Sequence, residues 1–526
     1  MSARKAYFLA LLILAAAFTA TVPFRGLFEP DESRYALVAQ GMLKEGQWLV
    51  PYLEGKPYTH KPPLYLWLVA GLAAVGFPWT AAAVLPAFLP ALALVLLLPH
   101  LARKFGLSGE QGYWAGALLV ASPLFATMAL AARMDMLFTL FLVVALATGF
   151  ELLQSAAATP LGSYWAFWIS LSLAVMSKGP VAVALVGAAL ALFALASPQR
   201  LPWGNVFRGW GWVVAVALPL AWLVPAAFVE GKAWLEDILL RQSAGRMVAS
   251  FAHPEPWYFH LVTWPITGFP SGVLGLFASL ALLRRNEDPA IRFLSAAFLG
   301  IFGFFSLISG KLVIYLLPLV PVAILLALRA VDLARSWIRW GIALSGIVGL
   351  MLAISLCLLP FLRPELSPPL PFLLFLATGL FAGAAVALVL AFKGRRFGAL
   401  QALAASGLWF AALVLPTATW VLDSKLSVRT VAVRYSQLTP AQAEGFVFRQ
   451  FFSGLPLYSG KSFRRLASAE ELQKVLAAGK PVVITQRDWQ RQAPSLSDVQ
   501  LIVEQFPYRR SALCLLLPDK SVPERR

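Results

Sequence analysis

From Ala6 to Val421 the chain is a train of apolar runs, most of them about as long as a bilayer is thick, separated by short clusters of Arg and Lys. Hydrocarbon offers no partner to a backbone N–H or C=O, so such runs must form helices that satisfy those groups internally. Composition agrees, because 60% of the 526 residues are hydrophobic, only 13% are charged, and the mean hydropathy is +0.75. These values exclude an ordinary soluble domain and specify an α-helical polytopic membrane protein. The net charge of +18 does not point to nucleic acid, because the basic residues punctuate apolar runs, where they orient spans.

The clusters at Arg4/Lys5, Arg103/Lys104, Arg200, Arg284/Arg285, Arg329/Arg335/Arg339 and Lys393/Arg395/Arg396 belong on the cytoplasmic side. The first run follows Arg4-Lys5 and resembles a signal peptide, but many spans come after it, so it reads as a retained anchor. Pro63 to Phe77 covers roughly 22 Å as a helix, short of the ~30 Å hydrocarbon core. If it crossed, Arg103/Lys104 would lie outside, so it is expected to lie along the outer interface, within a first outer loop at 24–78. Spans are then expected near 6–23, 79–101, 112–131, 136–154, 164–177, 180–197, 210–229, 258–283, 291–308, 312–328, 337–359, 371–392 and 399–421. Kinks or re-entrant turns are expected at Ser177-Lys178-Gly179-Pro180 and at Pro265 and Pro270. About thirteen crossings place the N-terminus in the cytoplasm and the C-terminus outside.

After Leu422 the composition turns polar, which divides the chain into a membrane region at 1–422 and a small outer α/β domain at 423–526. Gly445–Phe451 and Pro481–Thr485 read as strands, and Ser468–Ala478 as a helix capped by Ser468 with Glu471 three residues on. Cys357 and Cys514 fall in different regions and imply no disulfide framework. There is no GxxxxGK[ST] phosphate loop and no internal repeat.

On this topology Asp31, Glu32, Arg34, His60, Lys61, Arg133, Asp135, Lys178, Arg241, Arg246, His253, Lys311 and Tyr315 all reach the outer face. A single charge at a span end usually snorkels or is solvated, but convergence from so many segments marks a site. The mixture suits group transfer from a phosphate-bearing substrate. A carboxylate, for which Asp31 is the candidate, can take a proton from an acceptor hydroxyl. Lys61, Lys178, Arg34 and Tyr315 can neutralise an anionic leaving group. His60 and His253 are two of only four histidines and could share a divalent ion, with zinc the candidate.

The order of motifs is itself informative. Pro30-Asp31-Glu32-Ser33-Arg34-Tyr35-Ala36, Trp48-Leu49-Val50-Pro51-Tyr52 and Lys61-Pro62-Pro63-Leu64-Tyr65-Leu66-Trp67 resemble the first outer loop of GT-C glycosyltransferases of the aminoarabinose transferase and bacterial protein-mannosyltransferase-like superfamily. Arg133-Met134-Asp135, Ser177-Lys178-Gly179-Pro180, His253-Pro254-Glu255-Pro256-Trp257-Tyr258 and Ser309–Pro318 resemble its later signatures in the same order. The resemblance implies an undecaprenyl phosphate donor carrying 4-amino-4-deoxy-L-arabinose or a related sugar, and lipid A or another glycolipid as acceptor. It implies work at the periplasmic face of the bacterial inner membrane, thirteen spans and a periplasmic C-terminal domain. It assigns Asp31 as catalytic, Asp135 as a second acidic site, and Arg34, Lys61, Lys178 and Tyr315 to the donor phosphate. Where that family commonly has a metal-binding glutamate before the Lys-Pro pair, this chain has His60. Protein O-glycosylation and a lipid or sugar transporter are the competing expectations; the absence of paired repeats weighs against a transporter.

Overall fold

The computed structural model describes residues 1–155, 160–239, 254–284, 287–333, 335–362, 364, 368–492, 496, 499–508 and 511–518. Each run expected to cross the membrane contains a helix or a pair of helices. The first nine helices are α1 (Ala3–Thr21), α2 (Asp31–Glu45), α3 (Leu64–Ala74), α4 (Trp79–Lys104), α5 (Gly109–Ala121), α6 (Pro123–Ala129), α7 (Asp135–Gln154), α8 (Leu161–Lys178) and α9 (Val181–Ala196). Later ones include Gly211–Glu230, Pro289–Leu307, Leu319–Ala330, Trp337–Leu362, Leu370–Phe392 and Arg396–Leu426. By length and composition, eight helices among the described residues can each cross a membrane alone, and a bent pair makes a ninth. The remaining expected crossings fall on shorter or broken apolar helices.

Two expected spans are not straight. The run at 112–131 breaks by 72° between α5 and α6. Pro123 is the cause, since it lacks an N–H and drives Ser122 before it into an extended conformation (φ −78°, ψ 120°). The run at 258–283 divides into Phe259–Thr267 and Gly272–Leu282, as its prolines suggested. α3 has 11 residues, roughly 16 Å of helix, about half the hydrocarbon core. It packs between α2 and α4, to which Tyr65 Oη ties it by donating to the Ala83 carbonyl (2.7 Å). The bundle interior is built of Ala, Leu and Phe, with small side chains where helices approach closely.

The last long helix runs on to Leu426, one turn past the composition change at Leu422. Beyond it five strands form one mixed sheet in the order β4-β3-β5-β7-β6. These are β3 (Gly445–Phe448), β4 (Phe463–Leu466), β5 (Val482–Thr485), β6 (Val499–Tyr508) and β7 (Ser511–Pro518), while β1 (Tyr52–Leu53) and β2 (Lys56–Pro57) form a hairpin in the first outer loop. β3 runs parallel to β4 and β5, so each connection must cross over, and helices Gly454–Ser459 and Ala469–Ala477 do so. Alternation splits the β3 side chains between two small cores: Val447 packs with Tyr435, Phe452 and Val483, and Phe446 and Phe448 with Leu472, Leu476 and Ile484. Ser468 caps its helix as expected, accepting from the Glu471 N–H (3.2 Å). Both cysteines are free thiols.

Candidate active site

Three helix ends deliver the charges. Asp31 is the first residue of α2 and Asp135 the first of α7, where the helix dipole favours negative charge; Lys178 is the last of α8, where it favours positive charge. Gly179 follows with φ +94°, a backbone conformation open to glycine, which lets the chain turn into α9 immediately after the lysine. The bend at Ser122 has a consequence here, because α6 carries the segment that ends in Arg133-Met134-Asp135.

The side chains form one continuous ionic chain. Arg34 Nη1 lies 3.5 Å from Asp31 Oδ1, and Asp31 Oδ2 accepts from Arg133 Nη1 at 2.5 Å. Arg133 Nε reaches Asp135 Oδ2 at 3.3 Å, and Asp135 Oδ1 accepts from Lys178 Nζ at 2.6 Å. Lys178 Nζ also stands over the rings of Tyr315 (4.8 Å) and Phe138 (5.2 Å). Burial divides the two carboxylates: the Asp135 side chain is 6% exposed, that of Asp31 27%. A substrate can therefore reach Asp31 more readily than Asp135. Burial disfavours the Arg133 charge, but Asp135, Tyr35 and Asp31 outweigh it and hold the guanidinium above its usual range.

A second carboxylate of the motif fixes the backbone. Glu32 is buried and accepts from Arg25 Nη1 (2.7 Å), Arg25 Nη2 (3.2 Å), the Phe28 N–H (2.9 Å) and the Ala132 N–H (2.8 Å). Arg25 Nη2 in turn donates to the Leu130 carbonyl (2.8 Å). One ion pair thus joins the loop before Asp31 to the loop before Asp135. Arg133 belongs to the outer-face cluster expected from sequence, without a role of its own there, and Arg25 is absent from that cluster. The spacing Arg25 to Glu32 across a non-helical loop carries no periodic signal, whereas Arg133-Met134-Asp135 is one of the motifs that carry the resemblance.

Two cavities adjoin the chain of charges. One, of about 280 Å³, is lined by Asp31, Arg133, Glu29 and Phe28 on one side and by Thr127, Met128, Leu130 and Leu415 on the other. The second, of about 100 Å³, is lined by Thr59, His60, Lys61, Lys178, Gly179, Met176, Pro219, Trp222 and Leu223. Lys61 and Lys178 thus line the same cavity, and the Lys61 charge also acts on Asp135. The loop bearing His60 and Lys61 is held by Gly211–Glu230 and the residues after it: Trp222 Nε1 donates to the Leu49 carbonyl (2.9 Å), Tyr52 to Glu230 and Thr59 to Asp237. Lys311 does not join the cluster. It is buried, and its Nζ donates to the Glu255 and Ile308 carbonyls (2.9 and 2.6 Å). Arg241, Arg246 and His253 lie outside the described residues.

Of the expected two-histidine zinc site, only His60 is among the described residues. His60 packs beside the Tyr58 ring (5.0 Å between centroids) on the wall of the cavity that Lys61 and Lys178 also line. Among the described residues no three His, Cys, Asp or Glu side chains stand together as a metal shell.

Residues 6–231 match the family described as dolichyl-phosphate-mannose-protein mannosyltransferase. An undecaprenyl phosphate-alpha-4-amino-4-deoxy-L-arabinose arabinosyl transferase of Pseudomonas aeruginosa is 31% identical over 419 residues, 74% of this chain and 72% of the relative. One from Pseudomonas savastanoi pv. phaseolicola is 29% identical over 417 residues, 77% of each chain. In fold, the chain superimposes on the crystal structure of ArnT from Cupriavidus metallidurans bound to undecaprenyl phosphate with a TM-score of 0.75, covering 98% of this chain and 99% of that one at 21% identity.

Proposed function

The chain is a membrane glycosyltransferase of the GT-C aminoarabinose transferase family, and from that premise we propose its substrates, its orientation and the roles of its residues. The donor is a sugar, 4-amino-4-deoxy-L-arabinose or a relative of it, carried on undecaprenyl phosphate, as in the names of its relatives. The acceptor is lipid A or another glycolipid. The protein sits in the bacterial inner membrane among its lipids, with the N-terminus cytoplasmic and residues 423–526 in the periplasm. The positions of the cationic clusters support this orientation.

One observation carries the reading: four cations, Arg34, Lys61, Arg133 and Lys178, are gathered around two carboxylates, beside cavities with apolar walls. Such a site is short of negative charge until a lipid phosphate arrives, and its walls suit the lipid chain. In a single displacement, the acceptor oxygen attacks the anomeric carbon as the bond from that carbon to the phosphate oxygen breaks. Asp31, the accessible carboxylate, takes the acceptor proton. The phosphate keeps the bonding electrons, and Lys61, Lys178 and Arg34 neutralise them, with the Tyr315 hydroxyl as a further donor. Attack from the face opposite the leaving group inverts the anomeric carbon. Asp135 holds Lys178 and Arg133 in place.

Intact mass spectrometry of lipid A from cells with and without the protein tests the proposal. A pentosamine increment is expected, and a hexosamine or hexuronic acid increment would rename the sugar. The match of residues 6–231 to protein mannosyltransferases favours a serine or threonine acceptor as the second reading. Unchanged lipid A with a glycosylated periplasmic protein would establish it.

A further inference from the structure

The loop that leads into Asp31 is held from the far end of the chain. The Gly26 N–H donates to Asp423 Oδ1 (2.6 Å), the Leu27 N–H to Tyr458 Oη (2.5 Å) and the Glu29 N–H to the Leu426 carbonyl (2.9 Å). In return the Gly454 N–H donates to Glu29 Oε1 (2.6 Å). The remaining amide of the loop, that of Phe28, is taken by Glu32, so every N–H from Gly26 to Glu29 has a partner. Glu29 is partly buried, and desolvation pushes its carboxyl above the usual range, although bonds from Gly454, Ser33 and Ser453 oppose the shift. Tyr458 is partly buried, and desolvation pushes its hydroxyl up to about 12 and keeps it protonated. Both contacts exclude side chains. A Cβ on Gly26 would fall on Ser427, and one on Gly454 would stand 2.5 Å from Val428 Cγ2 and 2.9 Å from Glu29 Oε1.

We propose that Glu29 and Tyr458 are positioning residues through which the docked 423–458 segment sets where the Asp31 carboxylate stands. The segment after the last long helix is then part of the catalytic device, and Asp31 reaches the acceptor only while that segment is seated. The inference rests on Asp31 as the base. A general base works within hydrogen-bond reach of its proton, and a displacement of about 1 Å can cost on the order of 10²-fold in rate.

Four variants of the full chain in proteoliposomes test it, with rates expressed per folded molecule from size exclusion. Tyr458→Phe removes one oxygen and leaves the packed ring; Glu29→Ala removes the acceptor, and Glu29→Gln keeps an oxygen for Gly454. The expected result is a loss of ~10- to 10²-fold in kcat for Tyr458→Phe and Glu29→Ala, with KM for the donor within a few-fold and most of the rate restored in Glu29→Gln. Gly454→Ala, which presses on Glu29 without deleting it, should behave like Glu29→Ala. A purely structural contact would lower the yield of folded protein and leave kcat of the folded fraction unchanged. That result, obtained while Asp31→Asn is inactive, overturns the positioning role alone. An active Asp31→Asn overturns the base assignment beneath it.

Discussion

Asp31 and Asp135 belong to one ionic chain, yet removing their charges should have opposite consequences. Asp31→Asn keeps the shape and removes a proton acceptor. Its partners Arg34 and Arg133 are 26% and 22% exposed, within reach of water, and Arg133 keeps Asp135, so less charge is left uncompensated than in a fully buried pair. Loss of a general base costs on the order of 10²–10⁴ in kcat, roughly 3–5 kcal/mol of barrier. Asp135→Asn is the reverse. Lys178 and Asp135 are 8% and 6% exposed, and breaking a buried pair from one side leaves an uncompensated charge at a cost of ~3–5 kcal/mol. The lower figure applies, because an amide oxygen still accepts from Nζ. Purified protein in detergent gives the thermal midpoint, and reconstituted protein gives the transfer rate. Asp31→Asn should keep the parent midpoint and lose the rate; Asp135→Asn should lose the midpoint. A rate for Asp31→Asn within a few-fold of the parent, or equal thermal losses in both variants, would refute the division of labour.

The lysines of the smaller cavity should act on the phosphate, so Lys61→Ala and Lys178→Ala are each expected to weaken binding of undecaprenyl phosphate about tenfold or more. Unchanged affinity and turnover in both would return them to span-end charges. A cysteine at residue 75 should react with an impermeant thiol reagent from the periplasm and one at residue 104 only from the cytoplasm, since α3 is too short to cross. Labelling at 104 from outside would invert every later loop. If His60 and His253 share a divalent ion, exhaustive chelation should lower transfer and zinc should restore it; full activity after chelation would end that reading and leave Lys61, Lys178 and Arg34 to carry the phosphate charge.

What the sequence made legible follows from which force dominates locally. Hydrocarbon forces an apolar run toward helix whatever its neighbours do, so each of the thirteen runs contains helix. In the outer domain, β3, β5 and the Ser468-capped helix were readable because alternation and capping are local. β6 was not, for Pro507 interrupts the alternation, and the pairing with β7 shifts between Glu504 and Tyr508. Ser122-Pro123 offered a visible signal for the bend, but a long apolar run masked it. The ionic chain was legible as a list of residues and not as a chain. Its order, Arg34–Asp31–Arg133–Asp135–Lys178, depends on how helix ends from three parts of the bundle meet. The hold of Asp423 and Tyr458 on residues 26–27 spans some four hundred positions and leaves no trace in any window.

Arg133 is the link on which that order depends, and its chemistry makes it hard to replace. It uses two different nitrogens, Nη1 to Asp31 and Nε to Asp135, and so joins the first turn of α2 to the first turn of α7. A guanidinium holds five donors in one rigid plane, whereas an ammonium is a single point of charge on a flexible stem. Arg133→Lys therefore preserves the charge and loses the bridge. The ammonium would follow the more buried carboxylate, Asp135, because that charge is the costlier one to leave uncompensated. Asp31 would then be held by Arg34 alone, and its carboxylate would be free to turn within the cavity. The expected outcome is a near-normal thermal midpoint with kcat reduced on the order of 10²-fold, the cost of a misplaced reacting group. Wild-type turnover in Arg133→Lys would show that charge, and not the two-nitrogen geometry, is what the site requires of this residue.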